Sequence, residues 1–381
     1  MVHQDPDTHP LTPPQTLHEI FPPVHKSHIL NCAFASWHTR YKSITPEART
    51  IPLTPEFLTY LREDGIILPD DDDEDAPLPS SSQDSDEEML APTNFPPGAE
   101  DEEDEEDKAR NPTRRFPALH AQVKQAIASL GGSVTPKLNW SSPTDALFMS
   151  ATHSLECRSP AEIYLLLKSS DFITHDLEHA FDDTCPSSPL DPSSIPYHLV
   201  LRKYFSINPA LEFRTFVAGR RILGITQRDL NHYPFLQELR SEIRSLIVDF
   251  FEDHLQSFPD EDFVFDCYVE PTVRNGRRRK VWLVDINPFA PRTDSRLFSW
   301  GEVLRLRTQD FREEEEVVEV RLVEIDDPEA WGFNSATYSA SKLPREVVEA
   351  GVQGEEAVWE FARRWRGIME EIERGEGGDE D

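Results

Sequence analysis

Apolar residues recur at helical spacing through the first part of the chain and then give way to short β-branched and aromatic runs. Residues 28–41 put Leu30, Phe34, Trp37 and Tyr41 on one helical face. Residues 53–68 open with Thr54-Pro55, a cap followed by a first-turn proline, continue through Phe57, Leu58 and Leu61, and stop at Gly65. Residues 116–130 align Leu119, Val123, Ile127 and Leu130 and end at Gly131-Gly132, a helix-terminating pair. A strand is expected around 134–138. A helix is expected over 159–169, with Pro160 in its first turn and Ile163, Leu166 and Leu167 inward. After a Pro/Ser-rich connector at 182–196 come strands at 197–205, 212–217 and 221–226, the last two joined by a tight turn at Ala218-Gly219-Arg220. Residues 236–258 read as a long amphipathic helix with Leu239, Ile243, Leu246, Ile247, Phe250, Phe251 and Leu255 on one side. Two strand-like runs follow at 263–270 and 281–289, then a strand at 317–325 and a helix pair or one long helix over 345–371. Helices, then strands, a long helix and a hairpin describe an α+β layered core, not a doubly wound parallel sheet.

The pair of runs at 263–270 and 281–289 flanks Asn275-Gly276, the strongest short hairpin signal. With those two as the turn, Asp266 lies opposite Asp285, and alternation puts Asn287 on the same face. Like charges directly across a sheet are destabilising, so one reading places a cation between them. Two carboxylates and an amide oxygen form the hard ligand set magnesium takes when it also holds phosphates. The other reading is ordinary: Asp and Asn at strand ends are common turn formers. Pro271 and the basic run at 277–280 can also shift the register by one.

Composition narrows the partners. The net charge is −33, and residues 70–107 hold eighteen of the acidic residues with no Lys or Arg. Such a run repels itself and buries nothing, so a disordered acidic insert is expected. No compact basic stripe offsets that field, which disfavours direct nucleic-acid binding. The four cysteines, Cys32, Cys157, Cys185 and Cys267, are scattered, and no apolar run approaches a membrane span. A reduced, cytoplasmic protein with no membrane contact is the expectation. The sequence has no Gly-rich phosphate loop, no Gly-x-Gly-x-x-Gly run and no Gly-x-Ser-x-Gly elbow. Phosphates would then be held by cations, for which Lys137, Arg202, Lys203 and Arg214 on the predicted strands are candidates. An internal ion pair, Arg214 with Glu212 for instance, is the alternative.

Several segments in order carry a family resemblance. They are 136–141 (PKLNWS), 199–204 (LVLRKY) leading to Asn208-Pro209 and Glu212-Phe213-Arg214, 224–229 (GITQRD), 263–266 (FVFD) and 285–289 (DINPF), with Cys32-Ala33-Phe34 and Trp37 upstream. They closely resemble the cell division cycle protein 123 family, over roughly residues 28–325. The resemblance implies an ATP-grasp fold, in which two α+β subdomains enclose a nucleotide cleft. It also implies a cytosolic ATP- and magnesium-binding assembly chaperone that binds the gamma subunit of translation initiation factor 2. Such a factor promotes formation of that heterotrimer and supports translation initiation and cell-cycle progression. Matched by position, Lys137 would contact phosphates, with Trp140, Ser142 and Asp145 bordering the pocket. Arg202, Lys203 and Tyr204 would form the hinge along adenine, and Arg214 would neutralise phosphate charge with help from Arg228. Asp266, Asp285 and Asn287 match the family's magnesium ligands. The implied organisation is an N-terminal segment (1–69), the acidic insert (70–107), a first subdomain (108–200), a second with the metal hairpin (201–345), and a C-terminal helix and acidic tail (346–381). A monomer with no catalytic residue is expected. The alternative is an ATP-grasp carboxylate–amine ligase acting on a protein or peptide.

Overall fold

A proline in the first helical turn, or a Ser or Thr just before it, starts most of the helices, because those positions need no intrahelical N–H partner. The computed structural model describes residues 21–69, 111–185, 195–272, 278–309 and 317–324. The expected acidic insert at 70–107, the helix over 345–371 and the turn pair Asn275-Gly276 lie outside the described residues. The chain forms two units, a smaller one of Glu47–Glu178 with Ser193–Tyr204 and a larger one of Met1–Pro46, His179–Pro192 and Phe205–Asp381. Both mix helices with sheet, so the α+β class stands.

In the smaller unit, strands β1 (Ala48–Pro52), β2 (Val134–Lys137) and β3 (His198–Lys203) form an antiparallel sheet in the order β1-β3-β2. Helices α3 (Pro55–Arg62), α4 (Pro117–Ser129), α5 (Pro160–Lys168) and α6 (Asp171–Glu178) complete the unit. Thr54 caps α3 by accepting the Phe57 N–H, and Ser159 with Glu162 makes a reciprocal capping box on α5. Ile51, Val134, Leu199 and Leu201 from one sheet face share a core with Phe57, Leu119, Val123, Ile163, Tyr164 and Ile173 from the helices. The opposite face carries Thr135, Lys137, Val200 and Arg202, brought side by side by the pairings Thr135↔Arg202 and Lys137↔Val200.

The larger unit has five strands in the order β7-β6-β4-β5-β8: β4 (Glu212–Ala218), β5 (Arg221–Gln227), β6 (Phe263–Val269), β7 (Val281–Pro288) and β8 (Val320–Arg321). Neighbours are antiparallel except β8, which runs parallel to β5. Gly219 and Arg220 both have φ near +60°, the left-handed pair a two-residue hairpin turn demands. Arg220 is held there by donating to the Gln256 and Phe258 carbonyls. Phe263 and Phe265 of β6 pack beneath Phe250 and Phe251, where helix α7 (Phe235–Phe250) widens into a π turn (Phe251–Leu255). Phe216 and Val264, on the other face, join a core with Phe289, Phe298, Trp300 and Val303, the last two from α8 (Trp300–Thr308).

Four expectations change. Helix 28–41 is two helices, α1 (Lys26–Asn31) and α2 (Phe34–Tyr41), broken at Cys32-Ala33, where Ala33 is extended and the Cys32 carbonyl accepts the Trp37 indole N–H. Ile29, rather than Leu30, is the buried apolar residue of α1. The 236–258 helix keeps α-geometry only to Phe250. Of the described part of 317–325, only Val320 and Arg321 pair as a strand. Among the described residues no helix is long and apolar enough to cross a membrane, and none of the four cysteines forms a disulfide.

Candidate functional site

Strand register builds a polar row across the larger unit's sheet. Thr226 of β5, Arg214 of β4, Asp266 of β6 and Asp285 of β7 are successive partners, with Asn287 two residues along on the same face. The expected opposition of Asp266 and Asp285 is present, although not for the expected reason. On the loop side the pairs are Cys267↔Leu283, Tyr268↔Trp282 and Val269↔Val281, one step out of the register a turn at Asn275-Gly276 requires. A bulge at Val284, which the Cα register skips, absorbs the step and restores the acidic pair.

Asp266 is almost fully buried, and its carboxylate is gripped bidentately by Arg214, Nε to Oδ1 at 2.8 Å and Nη2 to Oδ2 at 2.9 Å. Arg228 Nε stands 3.3 Å from Oδ2, and Asn287 Nδ2 donates to the same oxygen at 3.5 Å. The suggested Arg214–Glu212 pair is therefore replaced: Arg214 takes Asp266 across the ladder, and Glu212 faces Arg228 at 3.5 Å. The guanidiniums supply positive charge beside the opposed acids, so their opposition by itself requires no metal. Burial pushes the Asp266 carboxyl upward, but Arg214 and Arg228 outweigh it and hold the group well below the usual carboxylate range. A third guanidinium, Arg296, feels burial and the repulsion of Arg214 and Arg228, partly offset by Asp294, and its pKa falls below the ordinary arginine value.

Asp266, Glu212, Asp285 and Asp294 all act on Arg228, while Arg214, Arg228 and Arg296 all act on Asp266. Four carboxylates against three guanidiniums leave one negative charge in excess, which suits an added cation. Among the described residues no three His, Cys, Asp or Glu side chains gather into a metal cage. A divalent ion at Asp266, Asp285 and Asn287 would complete its shell with water or phosphate oxygens, the open arrangement that magnesium favours. The donor set fits that ion, and the guanidiniums fit an oxyanion.

In the smaller unit, Lys137 is fully buried and its Nζ donates to the Trp140 carbonyl. Arg202 donates to Ser142 Oγ at 3.2 Å, so Lys137, Trp140, Ser142 and Arg202 share one neighbourhood. Asp145 is engaged otherwise: it accepts the Ser170 hydroxyl at 2.5 Å and the Phe172 N–H at 3.2 Å, holding the start of α6. Lys203 has an exposed side chain and gives its N–H to the Glu47 carbonyl, while Tyr204 gives its own to the Ser133 carbonyl.

Comparison with known proteins follows the same residues. The D123 family matches residues 37–351, a span that includes all twelve candidates. The chain belongs to the D123 family. Its relatives include a "Translation initiation factor eIF2 assembly protein" of Emericella nidulans, 44% identical with 92% of each chain covered. One of the same name from Sclerotinia sclerotiorum is 44% identical, covering 95% of this chain and 93% of the other. "Cell division cycle protein 123" of Aspergillus terreus is 42% identical, covering 92% and 91%. The solved structure of Cdc123 from Schizosaccharomyces pombe aligns with a TM-score of 0.61 at 36% identity, over 80% of this chain and all of that one. The expected resemblance to the cell division cycle protein 123 family is thus established.

Within this D123 chain, three residues of the two clusters escaped the sequence reading. Asp176, 2% exposed, accepts the Trp140 and Ser141 N–H groups and the Ser141 hydroxyl, fixing the loop that meets Lys137. It sits in a short helix whose pattern gives an inward acid no signal. Asp294 and Arg296 lie in a stretch with no periodicity, and only the proximity of Asp285 and Asn287 could have drawn attention to them.

Proposed function

We propose that this chain is an assembly factor for translation initiation factor eIF2, that it binds the gamma subunit of that factor in the cytoplasm, and that it does so as an ATP- and magnesium-binding protein of the ATP-grasp class. The assembly role rests on relatives of that name that align over nine-tenths of both chains. The nucleotide reading rests on one observation, the row in which Arg214 and Arg228 grip buried Asp266 beside Asp285 and Asn287. Asp285 and Asn287 would hold the metal with Asp266, and the metal would screen phosphate charge. Arg228, with a side chain 30% exposed, is open enough to meet a phosphate. In the smaller unit, Lys137 and Arg202 lie on one face of the sheet, which supports the phosphate role the resemblance implies for them.

Asp285 separates the metal role from the fold, because Arg214 already satisfies Asp266 without it. Asp285→Ala is expected to keep the wild-type circular dichroism spectrum and lose magnesium-dependent ATP binding in calorimetry. Wild-type affinity in that variant would remove the metal assignment. Co-purification of the wild-type chain with eIF2 gamma, with and without nucleotide, tests the partner. Stoichiometric ADP with an adduct, on incubation with ATP and amino acids or peptides, would favour the carboxylate–amine ligase instead.

A further inference from the structure

Arg296 is held in a conformation that arginine does not favour. Its φ is +56°, in the left-handed region where a side chain costs roughly 1–2 kcal/mol relative to glycine. The loop around it is fixed from three strands. Arg214 Nη1 donates to the Asp294 carbonyl at 2.6 Å, the Leu297 N–H reaches Thr226 Oγ1 at 3.4 Å, and Thr293 Oγ1 donates to the Pro288 carbonyl at 2.6 Å. Asp294 Oδ1 accepts the Arg296 N–H at 2.9 Å, closing a turn that uses the backbone of residue 296 and not its side chain.

The side chain is held less firmly than that of Arg214. Arg214 has a bidentate carboxylate and a carbonyl, and is 6% exposed. Arg296 has an Nε that stands 3.2 Å from Asp294 Oδ2 yet forms no hydrogen bond, and its side chain is 20% exposed. It also lies within electrostatic reach of Asp294 and Asp266, which attract it, and of Arg214 and Arg228, which repel it. A guanidinium kept in strained backbone, mostly desolvated, with an Nε that makes no hydrogen bond to its neighbouring carboxylate, is arranged for an anion from outside. We propose that Arg296 is an oxyanion receptor, taking a phosphate oxygen of the bound nucleotide together with Arg228. This assignment rests on the nucleotide reading of the same unit.

Glycine at this position separates binding from structure, because it adopts the left-handed conformation without strain. Arg296→Gly is expected to melt no lower than the wild type, while its affinity for ATP with magnesium, measured by calorimetry, falls about tenfold to a hundredfold, the scale of one charged hydrogen bond. Arg296→Lys should recover part of the loss. Magnesium tripolyphosphate, which lacks the base and sugar, should show the same ranking of the three proteins. Unchanged ATP affinity in Arg296→Gly overturns the inference and leaves the nucleotide reading standing. A lowered melting temperature with unchanged affinity assigns Arg296 a structural role. Absence of ATP binding by the wild-type chain overturns both.

Discussion

A carboxylate paired with arginine titrates differently from one in water, and Asp266 and Glu302 are two such groups in the larger unit. The acids at 266 and 285 were legible in the sequence because local alternation sets their face. The arginines that neutralise them were not, because Arg214 meets Asp266 only through the pairing of strands distant in sequence. Glu302 offers a cleaner test of the same physics. Burial raises its pKa, but Arg321 at 2.8 Å and the Ser299 N–H and hydroxyl outweigh burial and pull it down to about 2. A depressed folded-state pKa stabilises the protein above the unfolded value of about 4.3 and loses that contribution as pH falls toward the folded one. Partial exposure of the pair moderates the effect. Glu302→Gln should therefore lower the urea midpoint by a constant amount from pH 7 to 5, and the gap should close between roughly pH 4.3 and pH 2. A gap independent of pH would remove the charge from the explanation.

Among the elements, those with a cap and a clean apolar face were readable, including α3, α4 and α5 with their Thr, Ser and Pro starts. The misses have separate causes. In α6 one of three buried residues is Asp176, which blurs its amphipathic pattern. Strand β1 is five residues ending in proline, and only two of them are buried. Helix α8 did announce itself, through the Ser299–Glu302 capping box, a signal the reading passed over. Its docking depends on a close approach: a methyl group on Gly224 of β5 would sit 2.6 Å from the tip of the Phe298 ring. That ring is edge-on to Phe216 and lies under the Arg321 guanidinium, so it has little room to retreat. Gly224→Ala should cost about 1–3 kcal/mol in urea unfolding, with partial recovery when Phe298→Leu is added. A neutral single variant would mean that the ring shifts freely.

For the molecule as a whole, family membership and fold class were within reach of the sequence, because ordered motifs survive where individual packing contacts cannot be foreseen. The acidic stretch at 70–107 stands apart from those motifs, and its eighteen carboxylates act beyond about 10 Å only weakly at 0.1 M salt. Under the nucleotide proposal, deleting it should leave ATP affinity within a few-fold and both units folded, as read by calorimetry and circular dichroism; loss of either fold would give the stretch a structural part. The slip at Val284 bears on how much change at the hairpin tip the acids can tolerate. Because the slip lies between the acids and the hairpin tip, a residue gained or lost near the tip can be absorbed before it reaches Asp285. The inward aim of the acids is thereby uncoupled from the length of the loop beyond them.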